Sequence, residues 1–297
     1  MSIRAVAFKG PFDVGASLAT LGSRMPGQPT STRTEGWWIG TAPTGPVTAH
    51  IRRDAGGLTV EAWGPGAGWA LERAPRLLGL DDDADGFDPP AGLVRELHRR
   101  ARGLRLGSTG RVFDSLVPTI LGQRVTTTAA KRSFRGITRR WGRPAPGPID
   151  AWTPPAAAVL AGLSYVDLHP LGVEKSRASI LIEAARRSSR LDEILTMSRD
   201  DAYRRLEAVT GIGRWTSAQV MGSAWGDGDA VPTGDFHLPN MVAWGLAGEP
   251  RGNDARMLEL LEPFAGQRRR AIVLLKHGGV HAPKYGPKTA VRSFETQ

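Results

Sequence analysis

At 297 residues, 40% of them hydrophobic, the chain is long enough for a sizeable core and two domains, and with no cysteine it excludes disulfides, zinc fingers, thiol catalysis and cysteine-ligated iron–sulfur clusters together. Its net charge of +10 is unevenly placed: residues 1–90 hold 8 Lys/Arg against 10 Asp/Glu, so the excess lies in the remainder and points to a polyanionic partner. No run approaches the roughly 18 consecutive apolar residues of a membrane span, and the opening MSIRAVAFKGPFDVG lacks a long apolar signal core, so a cytoplasmic, nucleoid-associated protein without a membrane partner is expected.

In chain order, VTAHIRR and LTVEAWG alternate as strands joined by the turn-forming DAGG, with GWWIG as a third, which predicts a small antiparallel sheet. A short helix over about Trp69 to Leu80 leads into GLDDDADGFDPPAG, which reads as an exposed domain boundary. From Leu93 onward strand signals give way to helical spacing, with apolar faces at Phe113, Leu116, Val117, Ile120 and Leu121, then Ile180, Leu181 and Ala184, then Trp215, Ala218 and Met221. WTPPAAAVLAGL reads as a helix with proline near its start. Residues 95–143 carry 13 basic and two acidic side chains, and residues 264–292 seven basic and no acidic ones. Each alone fits a solvated helix face; the pair reads as phosphate-facing surface.

The stretch VTGIGRWTSAQV, residues 209–220, predicts two helices joined by a glycine turn, the first capped by Ser198 and the second starting near Arg214. Gly211 and Gly213 permit left-handed backbone and let another surface approach the amides of the second helix, with Ile212 anchoring the turn. An anion such as a phosphodiester suits those amides and the helix dipole, though a Gly-x-Gly also serves as a plain tight connection. Downstream, AVPTGDFHLPN places Asp235 at the bend of an irregular segment before a further helix, where an Asp serves as a cap, as a catalytic carboxylate, or as both.

These motifs, with FDSLVPTILGQRVTTTAAKR and LHPLGVEKSRASILIEAAR upstream, resemble the helix-hairpin-helix (HhH-GPD) superfamily of DNA glycosylases, within it the 3-methyladenine DNA glycosylase II (AlkA-like) group, over about residues 90–280. The resemblance implies a mainly α protein, with helical glycosylase domains over 89–297 that end in a basic tail, and a small N-terminal antiparallel α+β domain over 1–88. It implies a monofunctional enzyme, acting as a monomer on double-stranded DNA, that flips out a damaged, alkylated purine and hydrolyses its N-glycosidic bond. Asp235 is then the catalytic residue, and Trp215, Phe236, Gln219 and His237 border the base. Gly211, Gly213, Arg214 and Thr216 bind the DNA backbone, and Gln123 or Arg124 fills the gap left by the flipped nucleotide.

No cofactor is required; an alkali ion at the hairpin carbonyls is left open. Trp215 stands where strand-cleaving members carry a lysine, so Schiff-base chemistry is not expected; the N-terminus and Lys276 are the amines that would remain for it. His237 is the nearest group able to protonate a neutral base, or is structural. Gln219 and Gln267 stand where the group often presents aromatics to the base, which implies a more polar pocket, and the tail KHGGVHAPKYGPKTAVRSF reads as a DNA-contacting strand. The alternative reading is a non-catalytic or differently specialised helix-hairpin-helix DNA-binding protein, acting for instance on hypoxanthine.

Overall fold

The computed structural model describes residues 1–283; the basic stretch that follows, expected above to contact DNA, lies outside the described residues. The N-terminal layer is a four-stranded antiparallel sheet of β1 (Ser2–Ala7), β2 (Glu35–Ala42), β3 (Gly45–Asp54) and β4 (Gly57–Trp63), ordered β1-β4-β3-β2. Helices α1 (Val14–Ala19) and α2 (Ala67–Leu77) pack with it around Val47, Ile51, Leu58, Val60 and Leu77. The three strands read from alternation are present; β1 and α1 carry no such pattern and emerge only from the structure.

The remainder is helical: α3 (Leu93–Arg100), α4 (Val112–Leu121), α5 (Thr127–Trp141), α6 (Ala157–Ala161), α7 (Tyr165–Leu168), α8 (Lys175–Arg186), α9 (Ser188–Asp192), α10 (Arg199–Glu207), α11 (Arg214–Val220), α12 (Leu238–Ala247), α13 (Asp254–Leu261) and α14 (Arg268–His277). Two short strands, β5 (Arg143–Pro144) and β6 (Trp152–Thr153), interrupt the run. WTPP therefore enters the helical region as strand and coil, and the helix begins only at Ala157, beyond both prolines. No helix among the described residues is long and apolar enough to cross a membrane.

Among the described residues the helical part forms two cores. The larger is built round α4, whose Val112, Phe113, Leu116, Val117, Ile120 and Leu121 are all buried along one apolar face, as the spacing predicts. The other joins α3 to α12, α13 and α14. The sheet is fastened to α4 by Asp114, whose carboxylate accepts from the Thr41 amide at 3.0 Å and from its hydroxyl; burial pushes the Asp114 pKa up, against the pull of Arg111.

Two expectations are corrected here. The acidic stretch before α3 is not simply an exposed boundary: Asp82 accepts from the Leu106 amide at 2.8 Å and pairs with Arg270, and Phe87 is buried near Phe264 under the Arg270 guanidinium. Nor does the whole C-terminal basic run face phosphate, since Arg269 and Arg270 are buried, Arg269 donating to the Thr20 carbonyl at 3.0 Å. Both arginines spend their charge binding α14 to the N-terminal layer, a use that charge counting cannot distinguish from surface display.

Candidate active site

The hairpin forms as the sequence predicts. Ser198 caps α10, its hydroxyl accepting from the Asp201 amide at 3.3 Å, and Ile212 is buried in the larger core. Its two glycines serve different needs. Gly211 has φ +89°, and a Cβ there would lie 2.4 Å from Ile180 of α8, so both backbone and packing demand glycine. Gly213 has φ −103°, and a Cβ there would meet nothing within 4 Å. The space before the first turn of α11 is open, and no side chain caps that turn. Arg214 is exposed beside it. Thr216 is buried, and its hydroxyl accepts from Gln123 Nε2 at 2.9 Å, tying it to the end of α4 instead of to the surface.

Gln123 also donates to the Gly211 carbonyl at 3.0 Å, pinning the end of α4 to the hairpin. Arg124 follows it, exposed, with φ +55°, the one non-glycine among the described residues in the left-handed region. Such strain, of order 1–2 kcal/mol, persists where the surrounding fold imposes it. The Gly211 carbonyl is thus committed to Gln123 and that of Val209 to the Ile212 amide.

Asp235 sits just ahead of α12. Its Oδ1 accepts from the His237 and Leu238 amides at 2.8 Å each, and its Oδ2 accepts from the Trp215 indole Nε1 at 2.8 Å. Capping and a link to the hairpin helix therefore coexist in one carboxylate. The loop is held from behind by the Gly234 amide, which donates to Asp254 Oδ2 at 2.8 Å. Phe236 is 82% exposed and lies edge-on to His237 at 4.9 Å, so both rings face outward rather than packing in a core. Trp215 is half-buried, as is Gln219 one turn on.

Gln267 is not at this site: its Oε1 accepts from Arg270 Nε at 2.7 Å at the start of α14. Lys276, exposed in the last turn of α14, has Asp235 among the charges acting on it. Desolvation lowers the Lys276 pKa, with Asp235 opposing and Arg269 adding to the effect. Sequence reasoning noted Lys276 as a spare amine and had no signal for its place.

No family model matches the chain. Over 179 residues, 57% of this chain, it is 30% identical to a "probable bifunctional transcriptional activator/DNA repair enzyme AlkA" of Mycobacterium tuberculosis, spanning 35% of that protein's length. Among solved structures, a 3-methyladenine DNA glycosylase from Archaeoglobus fulgidus superposes with a TM-score of 0.72 at 19% identity, covering 93% of this chain and 97% of that one. An 8-oxoguanine glycosylase/lyase from Clostridium acetobutylicum gives 0.62 at 15% identity, covering 82% and 86%. At these identities the two structures are likenesses of fold.

Proposed function

The chain belongs to the helix-hairpin-helix (HhH-GPD) superfamily, with the AlkA-like group of 3-methyladenine DNA glycosylases, and from that premise we propose that it is a monofunctional DNA glycosylase. Its substrate is a damaged purine in duplex DNA, alkylated purines being the first to test, and its product is an abasic site in an unbroken strand. The observation that carries this reading is the Asp235 carboxylate, held by three N–H donors beside the hairpin.

The target nucleotide has to leave the stack before its glycosidic bond can be reached, at a cost of a few kcal/mol that damage lowers. The open amides behind Gly213 hold the backbone without reading sequence, and Arg124, exposed at its strained turn, occupies the vacated gap while Gln123 secures the loop. As the C1′–N bond lengthens, positive charge grows on the sugar. A carboxylate about 4 Å away, at an effective dielectric near 20, is worth about 4 kcal/mol, or about three powers of ten in rate. Asp235 is already oriented by its donors, so little reorganisation is needed as that charge appears, and it can also take a proton from the attacking water. Trp215 turns an indole N–H, not an amine, toward this carboxylate, which supports hydrolysis over Schiff-base strand cleavage.

The test is single-turnover base release from duplexes carrying 3-methyladenine, 7-methylguanine, 1,N6-ethenoadenine, hypoxanthine and uracil. Release is expected, with nicks appearing only after alkali. Duplex binding with no release of any base by the wild-type protein would reduce it to a helix-hairpin-helix DNA-binding module.

A further inference from the structure

The side chain of Asp235 is held from α11 and α12, but the main chain leading into it bends at Gly234, which is exposed and has φ +84°. A Cβ there would meet nothing within 4 Å, so glycine serves the backbone angle and not the packing. A residue so free in φ and ψ keeps one conformation only if its bonds impose it. The bond that does so crosses to α13: the Gly234 amide donates at 2.8 Å to Oδ2 of Asp254, the first residue of that helix, 20 positions on.

The helix does not use Asp254 as its cap. Asn253 serves there, its side chain accepting from the Arg256 amide at 2.9 Å. Oδ1 of Asp254 is buried with no hydrogen-bond partner among the described residues, so the carboxylate is directed at the loop through Oδ2. The turn that carries it is fixed to α12: a Cβ at Gly252 would lie 2.7 Å from the Ala243 Cβ and 2.8 Å from the Pro239 carbonyl oxygen, and the Gly252 amide donates to Asn240 Oδ1 at 2.9 Å. Asn240 Nδ2 in turn donates to the Phe236 carbonyl at 3.4 Å. The residues on both sides of Asp235 are thus tied to one braced turn.

Building on the glycosylase reading, we propose that Asp254 is a positioning residue for base excision, which locks the Gly234 hinge so that the Asp235 carboxylate meets the sugar as positive charge develops on it. Asp254 acts through Asp235 and not on the substrate. Misplacing a reacting group by about 1 Å costs about a hundredfold in rate, so freeing the hinge slows the chemistry, while duplex binding rests on the hairpin amides. An acidic residue in the first turn of a helix also suits the helix dipole, and that contribution depends on charge, whereas the lock depends on an acceptor oxygen. Asparagine separates the two. It keeps the oxygen that Gly234 needs and drops the charge, and its NH2 replaces an oxygen that has no partner, so no bond is lost.

The experiment compares wild type, Asp254→Ala and Asp254→Asn, each also in the Asp235→Asn background, in single-turnover release of the base that wild type removes fastest, with enzyme concentration varied. The limiting rate of the Ala variant should fall by about tenfold or more with its half-saturating concentration within about twofold, and Asn should restore the rate to within about threefold. Once Asp235 is Asn, neither change should slow release further. A lower melting temperature with an unchanged limiting rate makes Asp254 a structural residue and overturns the proposal. An Asn variant as slow as Ala also overturns it, since the charge would then be what matters, as does an equal loss in the Asp235→Asn background. If the Ala protein does not fold, Asp254→Ser, whose hydroxyl stops one bond short of the carboxylate oxygen, is read by the same criteria. Release of no base by wild type ends the glycosylase reading itself, whereas wild-type release by both Asp254 variants overturns this proposal alone.

Discussion

The indole N–H of Trp215 donates to Oδ2 of Asp235 at 2.8 Å, joining the helix after the glycine turn to the segment before α12 through a single side-chain bond. The hydrogen bond fixes the carboxylate plane that the two α12 amides alone would leave with one oxygen unrestrained. Trp215→Phe keeps a ring and removes only the donor. Stability should fall by about 1 kcal/mol or less, while single-turnover excision falls by about tenfold and duplex affinity stays within about twofold. Loss of affinity in step with rate would mean that Trp215 supports the DNA surface instead of the carboxylate.

The two hairpin glycines separate folding from binding. Gly211→Ala forces a left-handed alanine against Ile180, so thermal unfolding should show a loss of about 1–2 kcal/mol. Gly213→Asp has an ordinary φ and open space, so it should fold normally, yet it puts a carboxylate where a phosphate is expected. Affinity should drop by about tenfold or more on every duplex alike, with a shallower salt dependence. Sequence-dependent losses would show that the hairpin reads bases.

Arg124 combines exposure with backbone strain, and Gln123 does neither, its amide being spent on Gly211 and Thr216. Arg124→Gly should therefore stabilise the protein by up to about 1 kcal/mol. The same change should slow excision from a fully paired site by more than from a mismatched one, since a weakly paired base needs less help to leave the stack. Equal slowing on both would assign gap filling elsewhere.

Local pattern made the hairpin, its cap and Asp235 legible, because glycine turns and caps are decided within a few residues. The sheet was legible for the same reason where alternation is strong, and β1, an edge strand paired to β4 with mostly exposed side chains, was not. Long-range use of charge stayed hidden. Arg270 finds Asp82, which lies 188 positions away, and Arg269 of α14 packs against Gly222 in the turn that follows α11. Which of Gln123 and Arg124 is free could not be read either, since the answer lies in bonds to the hairpin.

Acid should loosen the core that carries α14. His98 of α3 lies edge-on to Phe87 at 5.2 Å, and desolvation lowers its pKa below 6.5, with Arg270, Arg102 and Arg105 adding to the effect and Asp85 opposing. A depressed histidine pKa means that the unfolded chain binds the proton more readily. The stabilisation is full above about pH 6.5 and is lost as pH falls from there toward the folded value. Wild type should thus lose more melting temperature between pH 7.5 and 5.5 than His98→Gln. Parallel losses in the two proteins would remove His98 as the cause.

Asp235→Asn tests the catalytic carboxylate, and the structure shows what else it changes. Asn has one acceptor oxygen for three donors: with that oxygen on the His237 and Leu238 amides, its NH2 faces the Trp215 indole N–H, donor against donor. That mismatch should cost about 1–2 kcal/mol, a fall in Tm of about 2–6 °C. Pairing the substitution with Trp215→Phe should recover part of it, because the second donor is then gone. Excision should not recover. Removing the charge takes away the attraction to the developing oxocarbenium ion, so base release should fall by about three powers of ten in both the single and the double variant, with duplex affinity within about twofold of wild type. If the double variant melts normally and still releases the preferred base at near wild-type rate, Asp235 is a helix cap alone and the glycosidic bond is broken by other groups.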